Sequence, residues 1–254
     1  VEKTITDGVW HLVSSPVENA TSNVFAGEYL QQWSEPNANW SEITETGVEL
    51  TPGKGFGLWG VAKTSTTYSI SGTPNSGNVP IGISYTLVAD FTRDGANLLG
   101  NPYPSSIDWE LVSDVYGAVY YWDGAAYVAY PAGEPIPGGG TYGTGSQYVP
   151  PMQGFFIVVP DGDPNSFTFT NAMRTHSGAT SYYKSTKSLP DGIMLYADNG
   201  SYQDKLLIRL NDDATENMEL DRDAWKFPTS TEGLSQLWSV SPDGNLSIDV
   251  RPET

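Results

Sequence analysis

The sequence predicts an all-β chain built of tandem β-sandwich modules, two of them related by internal duplication and followed by a partial third. Three observations carry this prediction. No stretch keeps apolar residues at i, i+3, i+4 and i+7 over three turns, whereas short apolar or alternating runs are frequent. Gly (27) and Pro (18) are abundant without a collagen period, which reads as tight turns between short strands. The chain also contains a diverged copy of itself.

The copy is read from matched motifs. Trp10 to Pro16 matches Ala96 to Pro102, an offset of 86, and Pro52-Gly53-Lys54-Gly55-Phe56 matches Pro151-Met152-Gln153-Gly154-Phe155, an offset of 99. Thr67 to Ile70 matches Ser166 to Phe169 at the same offset of 99, and Trp33 corresponds to Trp122 at 89. The second copy therefore carries an insertion of roughly ten residues before its Pro-x-x-Gly-Phe motif, within the Gly/Pro/Tyr stretch 131–150, expected as a projecting loop. Module one is placed at 1–83, module two at 84–180, and an Asp-rich partial β module at 181–254.

The elements follow in order. Trp10 to Val13 is a short strand ended by Ser-Ser-Pro. Phe56 to Val61 and Phe155 to Val159 each follow a Gly, as strands entering a packed core do. Thr66 to Ser71 and Phe167 to Thr170 alternate, which puts their large side chains on one face. In Asn101-Pro102-Tyr103-Pro104 two prolines remove two donors and bias the preceding residues to extended geometry, so a rigid corner is expected, with the Tyr103 hydroxyl bonded to backbone. Short helical turns fit Ser105 to Val112 and the region of Asp221 to Trp225. Leu206 to Leu210 and Leu246 to Val250 are further strands. As parts of half a sandwich, they are expected to need a partner outside a closed fold.

Composition narrows the function classes. Thirty acidic against twelve basic residues give a net charge of −18, which disfavours nucleic acid and anionic membrane surfaces as partners. No run reaches the roughly 18 apolar residues of a membrane span, so direct membrane insertion is not expected. There is no cysteine, which excludes a disulfide framework and a thiol nucleophile. Eight Trp, fifteen Tyr and eight Phe supply the area for a core without many leucines. The chain reads as a segment of a longer protein.

Two candidate sites stand out. Tyr121, Trp122, Tyr127, Tyr130 and Tyr142 lie in an aromatic, Gly-rich stretch and suit stacking on a pyranose; the plainer reading is core between sheets. Asp161, Asp163 and Asn165 alternate as in calcium loops, and Asp212, Asp213, Asp221 and Asp223 form a second acidic group. Calcium is the cofactor these oxygens would take; solvated turns are the plainer reading. Catalysis has little support. His11 and His176 are the only histidines, and neither a Gly-x-Ser-x-Gly motif nor a metal-binding His pair is present.

Asn97-Leu98-Leu99-Gly100-Asn101-Pro102-Tyr103-Pro104-Ser105-Ser106-Ile107-Asp108-Trp109, followed by Pro150-Pro151-Met152-Gln153-Gly154-Phe155-Phe156, resembles a signature of large secreted or cell-surface proteins of Bacteroidetes-type bacteria. Trp10 to Pro16 and Pro52 to Phe56 are similar to the companion module of that group. The resemblance implies tandem modules exported by type IX secretion as part of a larger protein; it implies no particular activity. The expectation is thus a non-catalytic extracellular structural or adhesive segment, a stalk or assembly unit, partnered by neighbouring domains or subunits. The alternatives are a carbohydrate-binding module built on the second-repeat aromatics, with glycans as partners, and more remotely a glycoside hydrolase or other hydrolase.

Overall fold

The computed structural model describes residues 1–61, 64–88, 94–112, 116–132, 144–162, 165–176, 192–229 and 231–253. These residues are all-β, with helical structure limited to single 3-10 turns. One of them, Trp109–Leu111, falls inside the expected 105–112 turn, where Asp108 Oδ1 accepts the Glu110 N–H at 3.2 Å.

Module one contains β1 (Glu2–Thr6), β2 (Trp10–Val13), β3 (Tyr29–Ser34), β4 (Asn39–Glu42), β5 (Phe56–Trp59) and β6 (Ser65–Ser69). Strands β2-β5-β3-β4 form one antiparallel sheet and β1-β6 the other. Val13, Leu30, Phe56 and Leu58 from the first sheet meet Ile5 and Tyr68 from the second in a closed core. Burying each large apolar side chain stabilises by about 1.5–3 kcal/mol relative to leaving it exposed.

Module two contains β7 (Val79–Gly82), β8 (Ala96–Gly100), β9 (Ser106–Asp108), β10 (Ala118–Trp122), β11 (Tyr127–Pro131), β12 (Tyr148–Val149), β13 (Gly154–Val158), β14 (Ser166–Phe169) and β15 (Arg174–Thr175). Its main sheet runs β8-β13-β10-β11, the same order as β2-β5-β3-β4, and β7-β14 repeats β1-β6. The register repeats too. Val13 opposite Phe56 becomes Leu99 opposite Phe155, and Gln31 opposite Gly57 becomes Tyr120 opposite Phe156. Trp33 opposite Trp40 becomes Trp122 opposite Tyr127. The duplication read from the motifs is thus present strand by strand.

Two details move the expected limits. Strand β7 lies before residue 84 yet pairs with β14, so it belongs with module two. Of the insertion expected as a projecting loop, residues 133–143 lie outside the described residues, and its flanks join the module's sheets. Its first residue, Pro131, ends β11; Thr144 and Gly145 bond back to the Ala129 carbonyl; and β12 joins β9 and β15 in a small extra sheet. The Asn101 corner is as expected: Tyr103 is fully buried and its hydroxyl donates to the Gly77 carbonyl at 2.6 Å.

The two modules interlock through their Pro-x-x-Gly-Phe turns. Ser14 N–H donates to the Met152 carbonyl at 3.0 Å, and at the equivalent place Gly100 N–H donates to the Gly53 carbonyl at 2.9 Å. Isolated bridges join Val13 to Gln153 and Leu99 to Lys54 in the same reciprocal way. Gly53 and Met152 are equivalent and both left-handed, with φ of 85° and 62°. Each is inserted into the other module: Met152 packs in the core of module one, and Gly53 lies against Phe169 and Ile81 of module two. The contact is a pseudo-two-fold seam within one chain.

This seam explains the repeated Gly in a way the sequence did not. A Cβ on Gly154 would lie 2.9 Å from the Val13 oxygen and 3.0 Å from the Leu12 carbonyl carbon, and one on Gly55 would collide with the Leu99 carbonyl oxygen. Each Gly makes room for the other module's backbone.

The third module is one sheet, made of β16 (Ile193–Asp198), β17 (Gln203–Leu210), β18 (Ala224–Trp225), β19 (Ser239–Ser241) and β20 (Gly244–Arg251). The sequence leads one to expect that β17 or β20 pairs with chain outside a closed fold or lies near a large interface. They pair with each other instead, in parallel, between β16 on one side and β18 and β19 on the other. The missing second layer is supplied by module two. Leu207 and Ile248 pack in one cluster with Ala118, Tyr120, Ala129 and Phe156. Trp225 N–H donates to the Tyr120 hydroxyl at 3.0 Å, and the Thr229 and Thr231 hydroxyls both reach the Ala125 carbonyl at 2.6 Å.

Candidate functional site

The main sheet of module two is buried on both faces, and strand alternation sorts its aromatics. Val119, Tyr121, Val128, Tyr130, Phe155 and Ile157 face the module's own core. Tyr120, Trp122, Tyr127 and Phe156 face the opposite way, toward modules one and three. Tyr121 and Tyr130 are therefore core residues rather than a sugar platform, with 0% and 5% of their surface exposed. The Tyr130 hydroxyl is further held by the Glu110 carboxylate. Tyr142 lies outside the described residues.

Trp122 and Tyr127 have a different place. They line a cleft of about 390 Å³ between the outward faces of the two duplicated sheets. From module one come Trp10, Leu12, Trp33 and Trp40, with His11 and Gln31 alongside. Phe227, Pro228 and Thr229 of the third module close one end. The walls are the duplicated cross-strand pairs: Trp33 on Trp40 with ring centroids 5.4 Å apart, and Trp122 on Tyr127 at 5.0 Å, both edge-to-face. Such pairs add about 0.5–1.5 kcal/mol each beyond their area. Phe156 lies at the base, 5.4 Å from Trp33 and 6.1 Å from Trp40.

The duplicated faces differ at the base of the cleft. The position equivalent to Phe156 in module one is Gly57, where a Cβ would lie 3.0 Å from the Trp40 ring. The Trp40 ring can pack this close to the strand because Gly57 has no side chain. Polar groups at the cleft are few. Trp33 Nε1 donates to the Ala96 carbonyl at 2.6 Å, and His11 Nε2 is 2.6 Å from the Thr6 carbonyl oxygen. Burial lowers the His11 pKa, opposed by that hydrogen bond and by Asp7, which favours a neutral imidazole at pH 7. Trp122 Nε1 is buried without an acceptor among the described residues.

Residues 2–254 match the model of a family described as a domain of unknown function, DUF8693. The chain belongs to this family. No curated protein and no solved structure matches it. The cleft draws on all three modules, which is why Trp10, His11 and Phe227 escape a reading of any one repeat.

The acidic candidates are not brought together. Among the described residues no group of three or more His, Asp or Glu side chains is placed to hold a metal ion. Asp161 and Asn165 are exposed, and Asp163 lies outside the described residues. Asp212 and Asp213 sit on an exposed turn, where Asp213 N–H donates to Asn211 Oδ1. Asp221 pairs with Arg222 at 3.6 Å. Asp223 is buried, and its two oxygens accept the Val250 and Glu219 N–H groups at 2.7 and 2.8 Å. These contacts are those of turn and strand caps.

Proposed function

We propose that this chain is a non-catalytic structural and adhesive segment of a larger bacterial surface or secreted protein, a stalk or assembly unit that works outside the cell. The observation that carries the reading is the shared packing of the three modules. Each duplicated turn is inserted into its sibling, and the third sheet uses module two as its second layer. Separate beads on a string would keep separate cores. Here one cluster draws on Leu12 of module one, Phe156 of module two and Ile248 of module three. Such a body transmits position and load between whatever it joins. On this reading the parent protein leaves the cell by the type IX route implied by its signature, and its partners are neighbouring domains or subunits.

Two measurements test the proposal. In single-molecule pulling the described modules should unfold in one major event. Three independent low-force steps would refute a rigid unit. Labelling of intact cells of the source bacterium should reach this segment at the surface, and labelling only after lysis would remove the extracellular role.

A further inference from the structure

We infer that the cleft between the duplicated sheets binds a neutral saccharide, with Trp40 and Trp122 as its stacking faces and Trp122 Nε1 as a donor to a sugar hydroxyl. The inference goes beyond the structural reading and does not depend on it.

The first argument is packing. Elsewhere the modules interlock closely enough for two glycines to touch the opposing backbone. Between the two aromatic walls they leave instead a cleft of about 390 Å³ that opens to solvent. It falls within the usual size of small-ligand sites, roughly 300–1,000 Å³, which are mostly apolar with a few polar groups. Trp33, Trp40, Trp122 and Tyr127 remain only partly buried around it. Large aromatic surface held half-open costs stability that closure would recover.

Charge selects the ligand class. The chain carries −18 overall, yet no Asp, Glu, Lys or Arg is among the described residues lining the cleft. A charged ligand would find no ionic partner at the walls, and an anion would be repelled by the chain as a whole. A pyranose suits both features: it is neutral, and its C–H faces pack on indole rings. The remaining groups are suited to hydroxyls. Trp122 Nε1 is a buried donor with no acceptor among the described residues, and a buried unpaired donor costs about 1–3 kcal/mol. A sugar hydroxyl that reached it would supply the acceptor. Asn39 and Gln31 stand at the cleft with side-chain amides that can both donate and accept.

Asymmetry supports a site rather than a leftover of duplication. A second Phe at Gly57 would put a ring in the space that Trp40 now occupies. With Gly there, the Trp40 ring packs against the sheet at that position and lines the cleft together with Trp122.

The test is tryptophan fluorescence and calorimetric titration of the whole chain against neutral oligosaccharides: cello-, malto-, xylo-, manno- and chito-oligomers. A proline-rich peptide serves as the competing ligand class. At least one oligosaccharide should bind saturably, with an affinity little changed between 50 and 500 mM salt. Trp40→Ala and Trp122→Ala should each weaken it tenfold or more. Trp122→Phe, which keeps a ring and removes the donor, should weaken it less. Trp238→Ala, an exposed Trp outside the cleft, should leave it unchanged. Circular dichroism separates lost binding from lost folding, and Trp122→Phe remains as a test if an alanine variant fails to fold. The inference is overturned if no neutral oligosaccharide binds, if binding survives Trp40→Ala and Trp122→Phe, or if only the peptide binds. None of these outcomes alters the pulling experiment, so the structural proposal stands or falls separately.

Discussion

Replacing Gly55 or Gly154 by Ala probes the seam directly. At Gly154 the added methyl would lie 2.9 Å from the Val13 oxygen and 3.0 Å from the Leu12 carbonyl carbon. Both obstacles are backbone, so no rotamer change relieves them. Strand β2 is also tied across the same place by the Ser14–Met152 hydrogen bond of 3.0 Å. Moving it aside weakens that bond, which is worth about 1 kcal/mol. Overpacking itself costs about 1–3 kcal/mol. The expected loss is about 3 kcal/mol for Gly154→Ala and more for Gly55→Ala, whose methyl meets the Leu99 oxygen at closer range. In a domain of this size about 1 kcal/mol shifts the melting temperature by 2–4 °C, so the drop should be about 6–12 °C by calorimetry. Gly82→Ala is the control: it sits in β7 with its nearest neighbour, the Asn165 oxygen, 4.0 Å from a new methyl. The double variant Gly55→Ala/Gly154→Ala should cost less than the sum, because the first methyl already parts the seam. Melting within 2 °C of the unchanged protein for either variant, or an equal loss in Gly82→Ala, would refute the interlock.

Two further outcomes are expected from buried charge. Burial raises the Asp223 carboxyl to about 7, despite the opposing backbone N–H donors of Glu219 and Val250. Its folded value then lies above its unfolded value of about 3.9, so this group's stabilisation is full below pH 4 and is lost as pH rises through 7, by at most about 4 kcal/mol. Urea midpoints measured from pH 4 to 8 should show a steeper decline in the unchanged protein than in Asp223→Asn; parallel curves would exclude the assignment. Lys226 Nζ lies 2.6 Å from both Asp204 oxygens, and both side chains are buried. Lys226→Met should cost about 3–5 kcal/mol in chemical denaturation, and adding Asp204→Leu should recover most of it; equal stability of the single and double variants would contradict the pairing.

How far the sequence could be read depends on where the physical cause of each feature lies. The Pro-x-x-Gly-Phe repeats and the other matched segments are local motifs, so the duplication and the correspondence of Trp33 with Trp122 and of Phe56 with Phe155 could be aligned from them. Their purpose could not. A Gly entering a strand signals close approach but does not say that Leu98 and Leu99 of the other module are what approaches Gly55. Strand β7 was hidden because Val79-Pro80-Ile81-Gly82 contains two residues that usually interrupt strands. In Ala118 to Trp122 every residue is apolar or aromatic, so no polar alternate marks an outer face. Tyr121 and Trp122 then look alike, although one is core and the other lines the cleft. The signal for the cleft was the repeat itself: Trp33 with Trp40 and Trp122 with Tyr127 are the same hairpin pair twice.

The reciprocal insertion of the two turns also limits how the repeat can be used. In a solenoid each unit offers its neighbour a surface that it does not itself consume, so units can be added indefinitely. Here each copy gives and receives the same contact, as the partners of a closed dimer do. Both seam surfaces are then spent, and a third copy would find none free. The additional sheet of residues 192–253 accordingly has a different topology and docks elsewhere, on the outward face of module two. The covalent link between the copies has a second effect. A free dimer separates on dilution, whereas these halves face each other at any concentration, so the spacing between Trp40 and Trp122 does not depend on how dilute the protein is.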